Sequence, residues 1–161
     1  MNIFPTKERA FKLIGDETET LNRLIRRTDK SDNLVSQFTD KSFRGIINGN
    51  QFKIISSVIG SGAFCVISGE FNADEGYVKV EIHKVFRILL SIMLCFPIIG
   101  TIAFEIIDSA AFSMTMFMVA VGQVLVLRFI IIELAFRILS KQSLNRLRDV
   151  LDCEWIKTMP V

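Results

Sequence analysis

Strict alternation of apolar and polar positions is clearest between residues 42 and 83. Ser42–Ile47 runs into Asn48-Gly49, and Gln51–Ile59 follows with Phe52, Ile54 and Val58 on one side. Asn-Gly supplies the two positive-φ positions of a type I′ turn, so the pair predicts a β-hairpin. Gly60-Ser61-Gly62 marks a second turn, Ala63–Glu70 a third strand and residues 72–76 a third turn. Tyr77–His83 then alternates with Val78, Val80 and Ile82 toward a core and Lys79, Glu81 and His83 outward. The prediction is a four-stranded antiparallel meander over about residues 42–83. Ahead of it, residues 9–14 alternate weakly as a strand that Gly15 ends.

A helical period appears at Leu21, Leu24 and Ile25, giving a short amphipathic helix over 17–28. Asp16 and Glu19 have the spacing of a capping box at its start. Arg26 and Arg27 complement the negative pole at its end; a solvated face is the plainer reading of that pair, and a lipid or partner contact the sharper one. Residues 29–41 are polar and turn-prone, a long connection.

The pattern changes after Arg87. Seventeen residues, 88–104, carry no charge, and nineteen more, 109–127, follow the short connection holding Glu105 and Asp108. At about 1.5 Å per residue these runs reach roughly 26 and 28 Å as helices. A hydrocarbon core of about 30 Å needs about 17–25 apolar residues, so each run predicts a membrane span, at about 86–105 and 109–128. Pro97 removes a backbone donor, frees the carbonyl of Met93 and predicts a kink. Asp108 is placed to cap the second span. Counting depth from Arg87 and Arg128 sets Ser91 level with Gln123, a candidate interhelical hydrogen bond. Met114, Met116 and Met118 read as adaptable packing.

Beyond the spans, Phe129–Phe136 stays apolar around Glu133, whose i,i+4 partner is Arg137, and Leu144, Leu147, Val150 and Leu151 form a further apolar stripe. The expected fold class is therefore an α+β membrane protein. A cytoplasmic α+β domain (1–84) is followed by a transmembrane helical hairpin (85–128) and an amphipathic helical tail (129–161) that docks back on the sheet. Docking is expected because some 84 residues make a marginal core alone.

Charge orients this arrangement. Lys79, Lys84 and Arg87 precede the first span, while Arg128, Arg137, Lys141, Arg146 and Arg148 follow the second. The positive-inside rule puts both termini in the cytoplasm, with the short acidic connection facing out. Arg87, Arg128, Arg137, Lys141, Arg146 and Arg148 become candidate contacts to the membrane surface, with anionic lipid headgroups as partners. The formal net charge of +2 makes no case for nucleic acid.

Candidate chemistry is sparse. His83 is the single histidine, and Cys65, Cys95 and Cys153 have no ligand spacing, so neither a metal nor another cofactor is expected. Cys65 reads as a small buried hydrophobe rather than a nucleophile. Gly60-Ser-Gly62 lacks the Gly-Lys-Ser/Thr ending of a phosphate loop. Glu70, Asp74 and Glu75 read as a solvated hairpin tip, and Asp149, Asp152 and Glu154 as charges on a surface helix. No catalytic constellation emerges, and the chain is not expected to be an enzyme.

The phrase Phe43-Arg-Gly-Ile-Ile-Asn-Gly-Asn-Gln-Phe-Lys-Ile54, with Ile67-Ser-Gly69 after it, resembles a group of small bacterial two-span membrane proteins with a cytoplasmic β-domain. The likeness covers residues 43 to about 140 and implies architecture only. Two functions are weighed: a membrane-tethered, non-catalytic binding or accessory module serving an unknown protein partner or a second copy, and a membrane-active effector, toxin or immunity component whose hairpins oligomerise. The lack of a hydrophilic stripe along the spans favours the first, because a water-filled lumen needs one.

Overall fold

The computed structural model describes residues 4–35, 38–58, 62–72, 75–107 and 114–156. The expected turn at 60–62 and hairpin tip at 73–74 lie wholly or partly outside the described residues, as does the connection containing Asp108. In chain order the elements are β1 (Thr6–Leu13), α1 (Glu17–Arg27), β2 (Thr28–Lys30), β3 (Phe43–Asn48), β4 (Gln51–Ser56), a 3₁₀ turn (Gly62–Phe64), β5 (Cys65–Asn72), β6 (Glu75–Ile82), α2 (Lys84–Ile107), α3 (Met114–Leu125), a π-helical segment (Val126–Ile132), α4 (Glu133–Leu151) and β7 (Cys153–Trp155). They divide into two compact units, residues 1–83 with 138–161, and residues 84–137.

The first unit is built on one seven-stranded mixed sheet in the order β2-β3-β4-β5-β6-β1-β7. The meander β3-β4-β5-β6 is antiparallel throughout, as the alternation predicts. Three strands enlarge it. β1 pairs antiparallel with β6, and β7 pairs antiparallel with β1. β2, inside what reads as a polar connection, pairs parallel with β3 and makes the sheet mixed.

Register places the core. Ile54 opposes Ile67, which opposes Val80, and Phe52 opposes Gly69, which opposes Val78. Residues opposed across neighbouring strands share a face, and Phe43, Phe52, Ile54, Cys65, Ile67, Phe71, Val78, Val80, Ile82, Phe11 and Leu13 are all buried there. Leu24 of α1 and Leu144, Leu147 and Leu151 of α4 are buried in the same unit. Arg146 of α4 donates to Ser56 Oγ at 3.2 Å, on the core side of β4. The tail thus docks on the sheet, and it goes further: after Asp152, at φ 52°, the chain turns into β7, whose Trp155 opposes Phe11 with rings 6.2 Å apart, edge to face. Residues 153–155 are strand, not the surface helix that their charges imply, because the left-handed Asp152 ends α4.

Two local expectations are corrected. Asn48 pairs with Gln51, so the hairpin turns on Gly49-Asn50 rather than Asn48-Gly49. Among the two, only Gly49 has positive φ, at 57°; that is the pattern of a type II′ turn, which requires glycine at its first central position. The capping box also fails to form. Asp16 is the N-cap and accepts from the Thr18 hydroxyl, a bond that leads in holding its carboxyl below the ordinary range. Glu19 turns instead to Arg23, 2.7 Å away.

At Gly45 of β3 two backbones come into close approach. This glycine opposes Ile54 of β4 and Lys30 of β2, with φ 150°. A Cβ there would overlap the Lys53 carbonyl oxygen and sit 2.8 Å from the Ile54 Cα, both backbone atoms.

The second unit is helical. α2 continues through Pro97 as one helix, and over Lys84–Phe104 none of its residues is buried. Half-exposed positions at 86, 90, 93, 94, 97 and 101 form a stripe, while Ile88, Ile92, Phe96 and Ile99 are exposed, Phe96 by 75%. α3 packs on α2. No break marks the end of the expected second span: α3, the π segment and α4 form one helical run, Met114–Leu151. Its least exposed positions include 120, 124, 128, 132, 136 and 140. A spacing of four drifts around a 3.6-residue helix; the wider π turn, bonded i to i+5, takes up that drift.

Candidate functional site

Two places gather the residues that sequence reasoning singles out, one in each unit. In the sheet unit, α1 carries Arg23, Arg26 and Arg27 on one face, the i, i+3, i+4 spacing that makes helical neighbours. They line a groove of about 320 Å³ together with Ser42, Arg146 and Asp149. Arg23 is tied down: it bonds Glu19 at 2.7 Å and Asp152 at 3.3 Å, and these two carboxylates, Glu19 foremost, push its guanidinium pKa up. Arg146 is half-buried and held by Ser56. Arg26 and Arg27 are exposed and form no ion pair among the described residues. Asp149 is the single acid in the lining, and Arg148 already bonds it at 3.3 Å.

The six basic residues expected at a membrane surface are divided between the two units. Arg87 and Lys141 are exposed on α2 and α4. Arg137 bonds Glu133 at 3.2 Å, the i,i+4 pair expected from the sequence. Arg128 lies in the π segment, 3.8 Å from Glu133 and with its guanidinium 5.5 Å from the Phe129 ring centre. An i,i+5 pair such as Arg128–Glu133 faces one way only on a π turn. Arg146 belongs to the groove, and Arg148 is exposed beside it.

In the helical unit, Ser91 and Gln123 are not joined. Ser91 Oγ donates to the Arg87 carbonyl at 2.8 Å, a bond within its own helix. Gln123 lines a shallow cleft of about 340 Å³ with Pro97, Gly100, Thr101, Met116 and Ala120.

A larger hollow, about 480 Å³, lies on the sheet's second face, with Ile46, Gln51, Lys53, Ser68, Tyr77 and Lys79 around it. Two of its polar groups are already engaged: Gln51 bonds Glu70, also in the lining, at 3.1 Å, and Lys79 bonds Glu81 at 2.7 Å. The buried thiols are inert for a different reason. Burial pushes Cys65 and Cys153 each up to about 12, so both stay protonated at neutral pH, and a thiol rather than a thiolate is a poor nucleophile. Among the described residues no three His, Cys, Asp or Glu side chains converge to hold a metal ion.

Comparison with known proteins found no family model, no curated protein and no solved structure that matches this chain. The arginines of α1 are what sequence reasoning under-read: Arg26 and Arg27 stand out as a helix end, but Arg146 meets them only through the fold. The available clue is the one-faced spacing of Arg23, Arg26 and Arg27.

Proposed function

We propose that the protein is an integral protein of the bacterial inner membrane, crossing the bilayer as a helical hairpin and holding its sheet unit on the cytoplasmic side as a non-catalytic binding or accessory module. The observation that carries this reading is α2. Over 21 residues it is long and apolar enough to cross a membrane, and none of those residues is buried by protein. At about 1.5 Å per residue that length is about 32 Å, against a hydrocarbon core of about 30 Å. A soluble monomer rarely leaves so large an apolar patch in water. Lipid is the solvent that removes the penalty.

The flanks support the orientation. Lys84 and Arg87 open α2, and Arg128, Arg137 and Lys141 follow α3, while the connection between them offers only acids. The non-catalytic reading draws on the sheet unit, where the thiols are buried and Glu19, Glu70, Glu81 and Asp149 each pair with a basic or amide group. Alkaline carbonate extraction of membranes tests the anchor: the protein is expected in the pellet. Recovery in the supernatant overturns the reading.

A further inference from the structure

The geometry points to a phosphate-binding site in the groove between α1 and α4, built from Arg26, Arg27 and Arg146 and taking a phosphomonoester dianion. The assignment does not rest on the hairpin's crossing a bilayer, because every lining residue belongs to the sheet unit.

Charge accounting leads to the ligand class. Of the four arginines lining the groove, Arg23 is answered by Glu19 and Asp152. Three guanidinium groups then face one carboxylate, Asp149, which Arg148 also engages. About two positive charges are left over in one concavity, and a phosphomonoester carries about 1.5 to 2 negative charges at pH 7. Like charges lining one groove repel, so a fold that gathers them around a single acid, itself shared with Arg148, is completed by an anion. Guanidinium is the group suited to it, since its planar fork binds phosphate oxygens in pairs.

The scaffold also fits a binding site. Arg146 is positioned by its bond to Ser56 on the sheet, and Arg23 is locked at the other side by two carboxylates. Fixed walls flank two uncommitted side chains, Arg26 and Arg27, which are free to close on a ligand. The dianion has two sources, a lipid headgroup such as that of phosphatidic acid or a soluble phosphomonoester. The same groove chemistry serves either.

The test uses the full chain. In detergent, glycerol 3-phosphate is added at matched ionic strength, with glycerol as the control. In nanodiscs, phosphatidic acid is compared with phosphatidylglycerol. Phenylglyoxal modification read by mass spectrometry reports each arginine separately. Protection of Arg26, Arg27 and Arg146 by glycerol 3-phosphate and by phosphatidic acid marks a site open to both sources; protection by phosphatidic acid alone marks the lipid. In either case R26Q/R27Q lowers the apparent affinity at least tenfold, and K12Q, away from the groove, leaves it unchanged. Because Arg26 and Arg27 are exposed, their replacement spares the fold even if R146Q does not. Absence of protection in both settings, equal protection at Arg9 and Arg137, or equal protection by phosphatidylglycerol overturns the proposal. Failure here leaves carbonate extraction untouched, so the two readings fall separately.

Discussion

Replacing Gly45 with alanine inserts one methyl group where two backbones already meet. The new Cβ overlaps the Lys53 carbonyl oxygen and lies 2.8 Å from the Ile54 Cα, and neither atom can rotate away as a side chain would. β3 has to withdraw from β4, yet on its other edge Gly45 opposes Lys30 and its carbonyl accepts from Ser31 N–H at 3.1 Å. Overpacking of this kind costs about 1–3 kcal/mol. An alanine at φ 150° adds backbone strain of about 1–3 kcal/mol. The expected loss is therefore about 2–6 kcal/mol, out of about 5–15 kcal/mol for a typical domain. Gly49→Ala is the matched control. Its φ is also positive, at 57°, but nothing lies within 4 Å of the added atom, so only the left-handed penalty of about 1–2 kcal/mol applies. Urea titration of the detergent-solubilised chain, followed by fluorescence of Trp155, reads the difference at the far edge of the same sheet. With m near 2 kcal/mol/M, G45A is expected to lower the midpoint by roughly 1 M or more. If G45A melts together with G49A, the close approach of β3 and β4 is not what makes glycine necessary.

Reporter fusions at Met1 and Val161 are expected to read cytoplasmic at both ends; a periplasmic signal from either contradicts the hairpin. Gly49→Val, which forces a β-branched residue to φ 57°, is expected to cost about 1–2 kcal/mol, seen as earlier urea unfolding and faster proteolysis. If Arg146 and Arg148 help seat the sheet unit on anionic headgroups, R146E/R148E in nanodiscs increases trypsin cleavage of that unit while insertion stays intact; unchanged cleavage shows that these charges take no part in seating. The buried thiols predict a pH dependence. Burial raises Cys65 and Cys153 to about 12 from an ordinary 9.0, so the unfolded chain loses these protons first. Their contribution is whole below pH 9 and drains away between 9 and 12. Tm of the native chain should therefore fall more steeply across that window than Tm of C65A; parallel profiles would show that the Cys65 thiol titrates normally in the fold.

The meander was legible because each of its strands is half-buried, and half-burial writes itself as alternation: Val78, Val80 and Ile82 against Lys79 and Glu81. α1 was legible for the same reason at a different period. β2 and β7 were not, since three residues are too few to show a period and their pairing is decided by partners far along the chain, Phe43–Gly45 and Phe11–Leu13. The turn moved by one residue because Asn48-Gly49 and Gly49-Asn50 are both acceptable turn pairs, and the register of Phe52 opposite Ile47 selects the second. The groove was half legible. Arg26 and Arg27 advertise a basic helix end, but their meeting with Arg146 depends on α4 lying beside α1, which no local pattern encodes.

The place of β1 between β6 and β7 has a consequence for how the protein is made. β6 is available as soon as residue 82 leaves the ribosome, so β1 gains one neighbour early. Its other neighbour is separated from it by the whole helical unit. Translation at about 5–20 residues per second takes about 3–14 s to pass from residue 84 to residue 152. Throughout that interval the outer edge of Phe11–Leu13 has no strand beside it. Open edges of this kind recruit other chains. The nascent protein therefore hands its apolar helices to whatever receives them while its sheet is still unfinished, and slow delivery of those helices is a period of exposure to aggregation for the sheet as well.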